Sequence, residues 1–224
     1  MTESLFGNAA VLHSVATEAY SRVQKKMLGV QTLEKPDSLM AVVFSAFAIE
    51  AFINEVPEIA RINTSQELWM PSLKKLGADW KQEKSFTLIR KKLNSIFDQL
   101  TGSQYDAGSP PFQNFETLVE LRNAIAHTKP LESFDWNSAN QITPGSSHPI
   151  LEKLPINILA NLPQDASSAQ EFPLPLPLRI GTQAAAKWAC NTTVNLVDAV
   201  VKSIPASQYR TTMEEYQEQF QPIL

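Results

Sequence analysis

The 224-residue chain is poor in the side chains that most often build metal and redox sites: it has one cysteine, Cys190, and three histidines, His13, His127 and His148. A single thiol excludes an internal disulfide, and neither CxxC nor HExxH spacing occurs, so no metal and no cofactor is expected. Cys190, in an alanine-rich stretch, reads as a small buried hydrophobe. The chain also lacks a strong excess of charge of either sign. A formal net charge of -4 argues against a generic nucleic-acid sponge, while leaving room for a local basic face. The opening residues, Met1 to Asn8, hold no basic segment ahead of an apolar run, so no export signal is read there and the chain is expected to be cytoplasmic. A long uninterrupted apolar run is missing too. The most apolar segment, Leu39 to Val56, is broken by Glu50, Asn54 and Glu55 and followed by Pro57, which argues against a membrane span and for a central buried helix ending near that proline.

With 43% hydrophobic residues, the chain is large enough for one sizeable core, and residues 1–224 are read as a single all-α domain. Ser4 to Leu28 forms a first amphipathic helix with Leu5, Val11, Leu12, Val15, Ala19 and Val23 inward and Gly29 as its stop. Two further helices are expected at Ser65–Leu76 and Glu83–Leu100, separated by a break at Gly77-Ala78-Asp79, with Pro71 splitting or kinking the former. Gly102 to Pro111 is a loop, and the next helix runs from near Pro111 to near Thr128. Helices return at Arg179–Ile204 and Ser207–Phe220. Between them, 129–178 loses helical periodicity and carries prolines at 130, 144, 149, 155, 163, 173, 175 and 177. This proline-rich insertion reads as an extended strap on the bundle, because its leucines suit burial; a polyproline ligand for a partner domain is the alternative.

Chemistry concentrates at Arg122-Asn123-Ala124-Ile125-Ala126-His127. At roughly 100° per residue, Arg122, Asn123, Ala126 and His127 border the Leu118, Leu121 and Ile125 stripe, which places the polar groups at the edge of the core. His127 falls in the last turn, where the helix dipole favours an imidazolium. Glu50 lies inside the apolar pattern of its own helix, and a carboxylate there needs a partner. Arg122 is the partner expected. A second feature is the basic concentration Lys74, Lys75, Lys81, Lys84, Arg90, Lys91 and Lys92, in which Asp79 and Glu83 are the only acidic residues. Such runs are ordinarily solvated helix faces; here Lys84, Lys91 and Lys92 are candidates for guiding RNA.

The segment Leu118 to His127 resembles the signature of the HEPN superfamily, named for higher eukaryotes and prokaryotes nucleotide-binding. In that pattern an Arg, usually followed by a polar residue, is separated from a His by four to six residues. Arg122 and His127 enclose four, Asn123 is the polar follower, and the upstream helix with Glu50 and Asn54 resembles the family's acidic-residue helix. The likeness covers Leu39 to His127. Lys129 stands where some members carry a Tyr two residues after the His, so any role of that Tyr does not carry over.

The resemblance implies a helical bundle that forms homodimers through facing motif helices. In active members it implies a metal-independent endoribonuclease. It implies catalytic roles for Arg122, Asn123 and His127, support from Glu50 and Asn54, RNA as substrate, and a toxin or antiviral defence setting with an antitoxin or regulatory protein as partner. The alternative is a non-catalytic HEPN-like RNA-binding or dimerisation module. In that reading Arg122 neutralises Glu50, Asn123 caps a backbone group and His127 ends its helix.

Overall fold

The apolar run at Leu39–Val56 lies in the longest helix among the described residues, and the other described helices pack around it. The computed structural model describes residues 7–26, 36–64, 66–82, 89–126, 162–163 and 180–224. Among these residues there are seven helices and no strand: α1 (Asn8–Lys26), α2 (Pro36–Ile62), α3 (Met70–Gln82), α4 (Ile89–Thr101), α5 (Pro110–Ala126), α6 (Gln183–Ser203) and α7 (Gln208–Gln217). The all-α class expected from the sequence is what the chain adopts. Helix α2 touches α1, α3, α4, α5 and α6, and its Ile49, Phe52, Ile53 and Val56 are sealed from solvent in the same core as Leu118 and Leu121 of α5 and Val197 and Val200 of α6. By length and composition α2 is long and apolar enough to cross a membrane, and half of its most apolar 18-residue window is buried inside the bundle.

Two breakers expected to end helices do not. Helix α2 continues through Pro57 to Ile62, and α3 continues through Gly77 to Gln82. The two residues face each other: a Cβ on Gly77 would lie 3.5 Å from the Pro57 Cβ and 3.1 Å from a carboxylate oxygen of Glu58. A side chain at position 77 would meet the proline ring at ordinary van der Waals distance, so α3 packs against α2 here, and that packing offsets the backbone bond that Pro57 cannot donate. The Tyr209 phenol, from α7, donates to the neighbouring Val56 carbonyl at 2.7 Å. Pro71 neither splits nor kinks α3, because it falls in the first turn, where the missing N–H has no intrahelical partner to lose.

The inward face of α1 matches expectation at Ala19 and Val23 and differs at Val11, Leu12 and Val15, while Leu5 lies outside the described residues. Val11 is 56% exposed and Leu12 only half-buried, whereas Ala9, Ala16 and Ala19 are fully enclosed beside His13, Tyr20 and Val23. Ala16, Ala19 and Tyr20 meet Ala41 of α2 and Ala186 and Cys190 of α6, a seam of small side chains along which three helices approach closely. Cys190 is buried in this seam as expected, and burial pushes its thiol up to about 11. Beyond the seam, Arg22 of α1 bonds Asp37 at 3.1 Å, in the acid-favouring first turn of α2.

The interruptions of the α2 pattern have separate uses. Glu55 accepts the Ala9 N–H at 3.2 Å, satisfying an orphan donor at the start of α1, and also accepts the Tyr216 phenol of α7. A side chain on Gly7 would run into both groups, so this close approach requires glycine. The last helix begins where the sequence indicates, with its cap at Ser207, whereas α6 begins at Gln183, four residues after the expected Arg179. Thr182 caps α6 by accepting from the Ala185 N–H at 3.0 Å, and Ser207 caps α7 by accepting from the Arg210 N–H at 3.1 Å. Of the 129–178 insertion only Leu162 and Pro163 are described; Leu162 is buried in the main core, and the strap reading otherwise concerns positions outside the described residues.

The C-terminal segment is fastened across α1 and α6. Asn191 donates to the Ile223 carbonyl at 3.1 Å and accepts the Ile223 N–H at 2.8 Å, and Phe220 stacks against His13 with ring centres 5.4 Å apart. His13 is buried, and its Nε2 meets the Gln221 carbonyl at 3.2 Å; since a carbonyl only accepts, Nε2 carries the proton and Nδ1, which has no partner among the described residues, is the bare nitrogen. Burial lowers the His13 pKa, and the bond to Gln221 only partly opposes this. Below the unfolded-state value of about 6.5 the unfolded chain therefore binds a proton that the native protein resists, and stability falls with pH. Urea midpoints are expected to drop between pH 7.5 and 5.5, and His13→Gln is expected to reduce that drop. An equal drop in the variant would refute the assignment to His13.

Candidate functional site

Helix α5 brings Arg122 to the core's edge by construction. Ser109 accepts the Gln113 N–H at 3.0 Å, Pro110 opens the helix where proline is tolerated, and Phe112, Phe115, Leu118 and Leu121 pack inward. Arg122 follows Leu121 directly and projects from the border of that stripe toward α2. Its Nη2 donates to Glu50 Oε2 at 2.6 Å, and its guanidinium carbon lies 5.7 Å from the ring centre of Phe47, three residues before Glu50 on α2. The expected Arg122–Glu50 pair is present. The two side chains are 23% and 44% exposed, so screening by water limits the pair to about 1 kcal/mol. One nitrogen of the guanidinium fork is engaged; Nε is buried with no partner among the described residues, a donor whose desolvation is uncompensated.

One turn along α2, Asn54 performs a parallel task. Its Oδ1 accepts Lys92 Nζ of α4 at 2.7 Å, and the ammonium lies 5.0 Å from the ring centre of Trp80 on α3. A third polar link joins α4 to α5: Arg90 bonds Glu120 at 2.5 Å and reaches Glu116 at 3.8 Å, while Tyr105 donates to Glu116 at 2.8 Å. Burial lowers the Arg90 pKa, but the Glu120 bond and both carboxylates raise it by more. Tyr105 is shifted upward, first by burial and then by Glu116, and stays a phenol donor.

Glu50 with Arg122 and Asn54 with Lys92 therefore come together at the junction of α2, α4 and α5. Asn123 does not join them: it is exposed and makes no side-chain hydrogen bond among the described residues. Lys91 is exposed beside Lys92. Lys84 and His127 lie outside the described residues, His127 immediately after the last residue of α5. The basic concentration is divided by the fold, since Arg90 is spent on two glutamates and Lys74 donates to the Asn63 carbonyl at 2.9 Å. Among the described residues no group of three or more His, Cys, Asp or Glu could hold a metal ion.

No family model, curated protein or solved structure matches the chain. Its functional reading rests on its own residues.

Sequence reasoning missed Phe47, Trp80 and the Arg90–Glu116–Glu120 link. The spacing of Glu116 and Glu120, one turn apart on α5, signals a shared face, but nothing in the sequence says which cation meets it. Phe47 lies three positions from Glu50, a spacing that does place both on one face of α2.

Proposed function

We propose that the protein is a HEPN-type endoribonuclease acting through Arg122, Asn123 and His127, with Glu50 and Asn54 in support. The observation that carries this reading is the state of Arg122: the guanidinium is fixed at the core's edge by one carboxylate contact and an aromatic face, while the rest of its fork holds no partner among the described residues. A positioned cation of this kind suits the charge that develops when RNA cleaves itself. His127 accepts the proton of a 2′-hydroxyl as the 2′-oxygen bonds to phosphorus. The bond to the 5′-oxygen then breaks, and that oxygen takes up a proton. Arg122 binds the phosphorane oxygens, Asn123 orients the phosphate, and a two-fold homodimer supplies a second set for the leaving group. The products are a 2′,3′-cyclic phosphate and a 5′-hydroxyl, and the scheme asks for no metal or cofactor. In this proposal the protein is a cytoplasmic toxin or antiviral defence effector, with an antitoxin or regulatory protein as partner.

A second reading, a non-catalytic HEPN-like RNA-binding or dimerisation module, draws on the pairing of Arg122 with Glu50 and of Arg90 with Glu116 and Glu120, which divides most of the cluster's charge among helices. End analysis of RNA incubated with the purified protein and excess chelator separates the two. Cyclic-phosphate and 5′-hydroxyl ends are expected from the wild type, with His127→Ala slowing cleavage by about 100-fold or more. Ends bearing a 3′-hydroxyl, or undiminished cleavage by His127→Ala, would refute the catalytic scheme; absence of cleavage would favour the module.

A further inference from the structure

Helix α2 offers two acceptors one turn apart, Glu50 and Asn54, and each holds a cation from a different helix. At this spacing their Cβ atoms are about 5–6 Å apart on one face. The acceptors differ in charge, and so does the outcome. Glu50 compensates Arg122, as Glu116 and Glu120 compensate Arg90, but the Asn54 amide is neutral and Lys92 makes no ion pair among the described residues. The ammonium retains its full charge. Because lysine only donates, the Asn54 oxygen must be the atom turned to Lys92, which leaves the Asn54 NH2 group as a second donor with no partner among the described residues. The Trp80 ring, its centre 5.0 Å from the ammonium nitrogen, positions the charge without removing it. A half-buried cation beside an unspent amide donor, held one helical turn from Arg122, is a receptor for an anion in register with whatever Arg122 binds.

We infer that Lys92 and the Asn54 amide form a second phosphate site, which takes the RNA backbone phosphate next to the one at Arg122, with Trp80 as the positioning residue for Lys92. The site rests on the RNA-binding part of the reading above and not on its chemistry. RNA then lies along α2 in a fixed register, and Lys92 contributes to the grip on substrate rather than to bond breaking.

The test uses the full chain and a fluorescein-labelled 2′-O-methyl oligoribonucleotide of eight residues, whose blocked 2′-oxygens prevent cleavage. Lys92→Met, which keeps an apolar stem beside Trp80, is expected to weaken binding about tenfold. The salt dependence should also flatten, by about 0.7 in log–log slope. Lys92→Arg is expected to restore both. Asn54→Asp provides the sharper arm: a carboxylate strengthens the link to Lys92, so unfolding midpoints hold or rise while binding falls. A merely structural bolt between α2 and α4 would leave binding unchanged in that variant. Unaltered affinity and slope in Lys92→Met and Asn54→Asp, or no binding by the wild type, overturns the second site. Binding that behaves as expected without any cleavage of ordinary RNA overturns the ribonuclease reading alone.

Discussion

Arg122→Ala is expected to lower RNA cleavage by about 100- to 1000-fold, the loss typical of removing one fixed donor from a developing oxyanion. The same substitution should change stability little. Glu50, left without its partner, is 44% exposed and remains hydrated, and a pair this open contributes about 1 kcal/mol. A change of that size leaves almost every molecule folded in a protein of ordinary stability, so unfolding cannot account for a hundredfold loss of rate. Glu50→Gln keeps a hydrogen-bond acceptor near Arg122 while removing its counter-charge. Its cleavage rate should stay much closer to wild type than that of Arg122→Ala. The check is a single-turnover rate for each variant beside its urea midpoint. An Arg122→Ala protein that unfolds several kcal/mol more easily, or cleaves as the wild type does, would place Arg122 among the structural residues.

Phe52→Ala is expected to produce the largest loss of stability, about 3–5 kcal/mol, with a fall in melting temperature of roughly 10 °C. Phe52 is fully buried at the middle of α2 and stacks with Tyr216 at 6.3 Å and edge-on with Phe220 at 6.0 Å. Those rings come from the end of the chain, where Phe220 also covers His13. Removing the ring leaves a void whose walls are helices pinned elsewhere by Glu55 and Tyr209, so collapse into it is limited. Differential scanning calorimetry of wild type and variant measures the effect. A shift within 2–3 °C, the equivalent of about 1 kcal/mol, would show that the aromatic cluster is not a principal support.

The sequence carried more of the site than of the packing. A carboxylate inside an apolar helix requires a counter-charge, and an arginine at the border of another apolar stripe is a ready source, so Glu50 and Arg122 could be paired before any coordinates. The start of α7 at Ser207 was legible after Pro205, while the Thr182 cap of α6 lay past the expected start at Arg179. Failures arose where distant segments decide. Pro57 and Gly77 are each a local signal to stop, yet they lie against one another and two helices run through them. On α1 the expected inner face held at Ala19 and Val23, but α2 and α6 approach so closely that Ala9 and Ala16 are also enclosed and Val11 is left outside. Lys92 could be seen to be basic; that its partner would be a neutral amide could not.

The central position of α2 has a consequence for the order in which the protein can be made. Its apolar sides are covered jointly by α1, which precedes it, and by α6, more than a hundred residues later. At about 5–20 residues per second of synthesis, the ribosome needs on the order of 10–30 s after releasing Val56 before Val201 emerges to close the core. For that interval α2 is covered by the alanine face of α1 and, as they emerge, by α3, α4 and α5, while the side that α6 takes stays open. Survival of the nascent chain therefore depends on an early α1–α2 hairpin or on a chaperone that holds α2 until the C-terminal helices arrive.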